Sequence, residues 1–423
     1  MTESKAVPAD AVTPPVAHDP AFPTLHPRPD VGWLNDPNGL CRIDGRWHVF
    51  FQWNPDSARS SRIRWGHLSS TDLVHWTTES AALVPRDGEP DSFGCWTGCV
   101  TDDGGTPTAV YSGVVDDSGH SVVLLARGDR ELRDWQQDTE PVLAMPDPSR
   151  FSDARDPYVF HHGGHRWAVL GAGHRQGEPA ALVYRVDDLT DWRSAGVLLD
   201  TADPVAASVA AAHVWECPNL FELDGRWVLI VSLMGPLDED CNKVRYLVGD
   251  LEILDPDGPD SEFQLRFRPT TGGLLDTGPA CYAPQVLCTP ERVLLWGWAW
   301  ELRDQAEVDA TGWAGSLTLP RELELNGDRL VSRPVAELEA VLGAELPIEA
   351  SVTRHSFLIR FDGPGSLSAD DEQVLVIDGP TDVWVDGSIV EAYPAGGIPH
   401  TTRGYPQTGW IVGGSASVVE IDL

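Results

Sequence analysis

At 423 residues the chain is long enough for a large core and for more than one domain. Its formal net charge is −35, with Lys5 and Lys243 the only lysines, which argues against nucleic acid or another polyanion as a partner, and no basic cluster suggests a membrane surface or a phosphate-rich ligand. A small neutral ligand fits this balance best.

The N-terminal stretch MTESKAVPADAVTPPVAHDP has no apolar h-region, so no signal peptide is evident. Its Pro, Ala and Asp content predicts a disordered leader over residues 1–25. Seven cysteines (Cys41, Cys95, Cys99, Cys217, Cys241, Cys281 and Cys288) are an odd number without small-scaffold spacing. They point to reduced thiols and a cytoplasmic protein. No segment approaches the roughly 18–20 apolar residues of a membrane span.

After the leader the chain repeats itself. NDPNGLCRIDGRWHVFF from Asn35, RDPYVFHHGGHRWAVL from Arg155 and ECPNLFELDGRWVLIV from Glu216 each carry an acid, a nearby proline, an apolar strand, a Gly turn and a Trp. Asp36 to Trp47, Asp156 to Trp167 and Glu216 to Trp227 are each eleven residues. The Asp-Gly and Gly-Gly turns supply the positive φ of tight hairpins. Alternation then puts Trp47, Val49 and Phe51 on one face, with His48, Phe50 and Gln52 on the other. These units are hairpins.

The acids are 120 and 60 residues apart, which predicts further copies near 96 and 276–282. GCWTGCVTDDGGTPTAVYSG and ACYAPQVLCTPERVLLWGWAW supply them. Five β units of about 60 residues predict a five-bladed propeller over 26–325, its first strands lining a central channel. Asp36, Asp156 and Glu216 at one repeat position should then converge at one end of that channel. The surplus of Trp (17, against 7 Tyr and 11 Phe) suits sugar-stacking surfaces and sheet cores alike. Beyond the propeller, Ala336, Leu338, Val341 and Leu342 have helical spacing, which predicts a short helix in a linker over 326–346.

At these residues the sequence resembles glycoside hydrolase family 32, the invertases and fructan hydrolases. The resemblance is carried by Trp33-Leu34-Asn35-Asp36-Pro37-Asn38-Gly39, Arg155-Asp156-Pro157 and Glu216-Cys217-Pro218. Supporting segments are FFQWNP ending at Pro55, WGHLSSTDLVHW from Trp65, YAPQ from Tyr282 and GWAGSLTLPREL from Gly312. One departure is Trp96-Thr97-Gly98-Cys99, where the family has Phe-Ser-Gly-Ser. The resemblance implies an all-β chain: a five-bladed propeller, a linker helix and a C-terminal β-sandwich. Here the last module, 347–423, looks reduced, with the family's Asp-Gly-Ser-x-x-Glu hairpin at Asp386 to Glu391.

The resemblance further implies a retaining β-fructosidase acting on sucrose or fructo-oligosaccharides, with Asp36 as nucleophile and Glu216 as acid/base. Retention needs two carboxyls roughly 5–5.5 Å apart. The nucleophile must stay ionised, aided by donors such as Asn35, while burial and neighbouring acids would keep Glu216 protonated. Asp156 is implied to grip fructose hydroxyls, and Arg155 to pair with a carboxylate in bidentate fashion. Asn35, Gln52, Trp65, Trp96 and Thr97 line the fructose pocket by resemblance, each with core packing as the alternative. Trp298 either adds a stacking wall or simply packs. Cys217 reads as a small buried neighbour of Glu216, facing the other way on its strand.

No cofactor is implied, and no metal: His161, His162 and His165 straddle a hairpin turn, and Cys95-x-x-x-Cys99 lacks a second pair. Four other readings stay open: a fructosyltransferase, a fructan (inulin or levan) exo-hydrolase, an inverting arabinanase-type propeller hydrolase, and a sugar-binding protein without catalysis. Oligomeric state is not legible.

Overall fold

The computed structural model describes residues 19–118, 120–235, 243–254, 264–346 and 351–423. Five antiparallel sheets follow one another along the chain, each starting with the strand predicted to line an axis. Blade 1 is built from Gly32–Ile43, Arg46–Asn54, Arg64–Ser70 and Thr77–Thr78, and blade 2 from Gly94–Asp103, Thr106–Val114, Ser121–Gly128 and Trp135–Gln137. Blade 3 comprises Phe151–His162, His165–His174, Pro179–Arg185 and Arg193–Asp200; blade 4 comprises Val214–Leu223, Arg226–Met234, Val244–Leu254 and Gln264–Leu274. Blade 5 takes Cys281–Cys288, Val293–Ala299, Arg321–Asn326 and Arg329–Pro334. The chain is thus a five-bladed β-propeller followed by a C-terminal sheet domain.

A ring of blades has an end to close, and here the late strand Trp313–Ala314 pairs in parallel with Gly32 and Trp33 of blade 1. That pairing covers the edge blade 1 would otherwise leave open. The blades pack on both faces, so the alternating side chains are buried whichever way they point. Trp47, Val49 and Phe51 join the main core, whereas Phe50 packs with Trp65 and Tyr111 between blades 1 and 2. Trp47, Trp167 and Trp227 of the repeat are all core residues, at 5 %, 0 % and 8 % exposure. Much of the indole surplus therefore fills seams between blades.

Three expectations shift. Arg329–Pro334 is the outer strand of blade 5, so the segment after 325 is not yet linker. The helical spacing beyond it yields one short 3₁₀ helix, Ala336–Val341, which buries Leu338 and Val341 at the i, i+3 spacing that this helix eclipses. The chain then returns to strand at Leu342–Leu346, pairing with Trp410–Ile421. In the C-terminal domain, the expected small β module, seven strands are linked by hydrogen bonds. Its long strands Ser356–Ala369 and Trp410–Ile421 run together on both sides of a register break between Phe361 and Gly365. There the break lets one sheet serve two sets of neighbours, Thr381–Asp386 before it and Glu372–Ile377 after it, around Phe357, Ile359, Leu367, Val385 and Trp410.

The predicted leader also stops short of residue 25. Residues 1–18 lie outside the described residues, but Asp19 to Leu25 are packed: Phe22 stands edge-on to Trp313, Asp19 accepts from Trp313 Nε1, and Leu25 is buried. Asp386 is the cause. Its carboxylate accepts the backbone N–H groups of Thr24, Leu25 and His26 at 2.8–3.1 Å. The His26 ring then bridges Asp386 and Glu391, and Glu391 also receives the fully buried Arg321 of blade 5. Arg321 completes its fork on Asp276 at 2.9 Å. The Asp386-to-Glu391 hairpin is thus the anchor between the two domains.

Candidate active site

Each blade's first strand carries a β-bulge at the same end of the axis. Register breaks between Leu34 and Pro37, Trp96 and Gly98, Arg155 and Tyr158, Glu216 and Asn219, and Tyr282 and Gln285. Bulges re-aim side chains and end regular pairing. Asp156, Cys217 and Ala283, each just before a proline, have φ of 61°, 47° and 44°. Residues that would otherwise alternate are thereby turned together toward the channel.

The bulge also corrects the repeat alignment. Counted from the register break, Glu216 matches Arg155, and Cys217 matches Asp156. The equal eleven-residue spacing to Trp concealed this, because the Glu216 strand is one residue shorter between its proline and its Trp. Cys217 therefore does not face away. Its thiol lies 3.6 Å from Oδ2 of both Asp36 and Asp156, and its backbone N–H donates to Asp156 Oδ2 at 2.9 Å. Burial and the three surrounding carboxyls push that thiol far above its ordinary range, which leaves it a neutral donor.

Asp36 lies in a cradle of donors. Asn35 Nδ2 donates to Oδ1 at 3.0 Å, while Thr97 Oγ1 and Gln52 Nε2 donate to Oδ2 at 2.9 and 3.1 Å. Asn35 is itself held by Trp33 Nε1 at 2.9 Å, and Gln52 also reaches Thr97 at 2.6 Å. Burial, then the charge of Glu216, raises the Asp36 carboxyl to about 6, with the Thr97 and Asn35 hydrogen bonds opposing. The sequence reading had this carboxyl simply held ionised; desolvation outweighs its donors. Asp156 is raised to about 7 by burial, with Arg155 pulling down and Glu216 and Asp36 pushing up.

Glu216 is half-buried, as Asp36 is, its side chain 17 % exposed. Tyr282 donates its hydroxyl to Oε2 at 2.6 Å, and Arg155 donates to Oε1 at 3.3 Å. Arg155 is not bidentate on one acid: its other terminal nitrogen goes to Asp153, and its guanidinium lies 5.4 Å over Trp96. Trp96 is half-buried and available to a ligand, whereas Trp65 is fully buried and bonds the Trp96 carbonyl through Nε1 at 3.0 Å. Trp65 is thus a support behind the pocket, since no sugar can reach it. Trp298 is 6 % exposed, and is stacked on Trp300 at 4.5 Å. Most of its surface goes into packing.

Sequence reasoning quoted Tyr282 within a motif without a role, and missed Asp153 and Trp300. The histidines His161, His162 and His165 do not converge: His162 packs edge-on to Trp227, and His165 bonds Asp187.

Three acids around the axis of a five-bladed propeller, one cradled by donors and one held by a phenol, define a glycoside hydrolase. Residues 26–334 match the family described as glycosyl hydrolases family 32, N-terminal domain, and the chain belongs to that family. It is 33 % identical over 330 residues to the raffinose invertase of Escherichia coli, covering 76 % of this chain and 66 % of that one. To the sucrose-6-phosphate hydrolase of Bacillus subtilis it is 32 % identical over 366 residues, 83 % of this chain and 73 % of that protein. The chain thus spans about two thirds of the length of the curated relatives it matches. Among solved structures, the β-fructofuranosidase of Bombyx mori superposes with TM-score 0.79 at 23 % identity, covering 96 % of this chain and 95 % of that one. Fructan 1-exohydrolase IIa of Cichorium intybus gives 0.78 at 22 %, covering 95 % and 98 %. Both likenesses concern the fold.

Proposed function

We propose that the protein is a retaining β-fructosidase, releasing terminal β-D-fructofuranosyl units from sucrose or fructo-oligosaccharides. The observation that carries this is the difference between the two acids' partners: Asp36 gripped by Asn35, Thr97 and Gln52, and Glu216 held by Tyr282 and Arg155. Donors fixed on Asp36 aim its carboxylate and stabilise its charged form, as a nucleophile on C2 of fructose requires. Glu216, aimed by Tyr282 and Arg155, protonates the leaving oxygen and then takes a proton from the water that hydrolyses the fructosyl-enzyme. Asp156, buried beside them, accepts hydrogen bonds from fructose hydroxyls as positive charge develops on the ring.

The relatives named as invertase and as sucrose-6-phosphate hydrolase support fructosides as the substrate class. The excess of acids favours the unphosphorylated members. The six described cysteines are all free thiols, in keeping with a cytoplasmic protein.

The test is time-resolved product analysis of the purified protein on sucrose, with Asp36→Ala and Glu216→Ala as controls. Equal glucose and fructose from the wild type alone supports hydrolysis. Excess glucose with growing oligosaccharides makes it a fructosyltransferase. NMR detection of an inverted first-formed anomer would overturn the retaining mechanism, and turnover unchanged in Asp36→Ala would overturn the nucleophile.

A further inference from the structure

Blade 5 meets blade 1 along a column of three indoles. Trp296 and Trp298 lie on Val293–Ala299, two residues apart and so on one face, and Trp300 follows two residues later. At the base, Trp76 of blade 1 stands edge-on to Trp296, with centroids 6.1 Å apart. One level up, Trp33 stands edge-on to Trp298 at 5.7 Å. At the top, Trp300 stacks on Trp298 at 4.5 Å and 15° between planes. Trp296 is fully buried and Trp298 nearly so, but Trp300 is only half-buried.

That half-buried ring stands beside the holder of Glu216 and is linked to the holder of Asp36 through Trp298. Tyr282, the donor to Glu216, lies 5.7 Å from Trp300 edge-on. Trp33, on the other side of Trp298, holds Asn35, which holds Asp36. Its backbone is fixed as well: the Trp300 N–H donates to Ala280 O at 2.8 Å, and its carbonyl receives Arg403 Nε of the C-terminal domain at 2.6 Å. A rigidly held, half-buried indole presents its remaining exposed ring as an apolar surface that ordering on binding need not create.

We infer that Trp300 is the platform for the leaving sugar, stacking against the apolar face of a pyranose ring as Glu216 protonates its oxygen. This rests on the fructosidase reading above and deepens it: the preferred substrate class is a fructoside whose leaving group is an uncharged pyranose, as in sucrose. Trp300 is then a specificity-determining residue that acts on the leaving group and leaves the fructosyl pocket unchanged.

The experiment compares sucrose with methyl β-D-fructofuranoside, which has the same fructosyl unit and no leaving ring. Trp300→Ala should lower kcat/KM on sucrose roughly tenfold, mainly through KM, and leave the methyl fructoside within about twofold. Trp300→Phe, which keeps a ring, should recover most of the loss. If alanine fails to fold, Trp300→Leu against Trp300→Phe gives the same contrast. Equal loss on both substrates, or loss on neither, overturns the platform and leaves the fructosidase reading standing. A wild-type protein that cleaves neither fructoside overturns that reading, and the platform with it.

Discussion

Tyr282 donates its one hydroxyl proton to Glu216 Oε2 across 2.6 Å, the shorter of its two contacts, the Leu233 carbonyl being the alternative acceptor at 3.1 Å. The phenol therefore fixes which way the Glu216 carboxyl points, from a blade next to its own. Tyr282→Phe removes that fix and little else, because the ring keeps its contacts with Trp298 and Trp300. We expect kcat on sucrose to fall by about tenfold, a fraction of the roughly 10²–10⁴ carried by acid–base assistance, with KM changed far less. Steady-state kinetics of the variant check this, and an unchanged kcat would remove Tyr282 from the mechanism.

If Asp36 is the nucleophile proposed above, it sets the acid limb of activity. Its carboxyl must then be ionised to attack, and burial with the Glu216 charge holds it at about 6. kcat/KM should therefore fall as pH drops through about 6, well above the usual carboxylate range. Thr97 donates to the charged form, so Thr97→Val disfavours that form and moves the limb upward. One hydrogen bond to a charge is worth about 1.5 kcal/mol, or roughly one pH unit. A pH profile of both proteins decides it; a limb that stays put or moves down contradicts the cradle.

The motifs around Asp36, Asp156 and Glu216 were legible because chemistry-bearing residues sit beside prolines and turns that leave a strong pattern. The hairpins were legible too, since Asp-Gly and Gly-Gly turns punctuate strict alternation. What spacing could not show was the bulge. Counting to Trp put Glu216 level with Asp156, and alternation sent Cys217 away from the acids; a two-for-one insertion in each strand reversed both. Trp65 was misread because a motif tryptophan behind a pocket and one in it look alike in sequence. The packed segment Asp19 to Leu25 was hidden for another reason: its partner Asp386 lies more than 360 residues away.

Asp156 should cost the folded protein stability at neutral pH. Its carboxyl rises from the ordinary 3.8 to about 7, chiefly by burial. The native state therefore binds its proton more tightly than the unfolded chain, and stability falls as pH rises from about 4 toward 7. Asp156→Asn, neutral at every pH, should be more stable than wild type by about 3 kcal/mol at pH 7–8, with the gap closing near pH 4. Activity should be nearly lost in the same variant. Denaturation midpoints at several pH values test the sign: a variant less stable at pH 8 would show that its polar partners outweigh the desolvated charge.

The interdomain anchor should respond to pH at both edges. Burial alone would lower the His26 pKa, but hydrogen bonds and charge from Asp386 and Glu391 win and raise it. Its contribution is thus complete below the unfolded value of 6.5 and is lost as pH climbs through the higher folded value. Glu391 moves the other way, held at about 2 despite burial by Arg321 and His26, so its contribution is lost as pH falls through that value from its unfolded 4.5. Replacing His26 with Ala leaves two buried carboxylates short of a partner, and breaking such a pair costs about 3–5 kcal/mol. We expect Tm to drop by several degrees at pH 6, and the gap to wild type to shrink as pH rises toward 9. A gap that widened with pH would mean that His26 stands neutral between its acids, and that hydrogen bonding alone joins the leader segment to the C-terminal sheet.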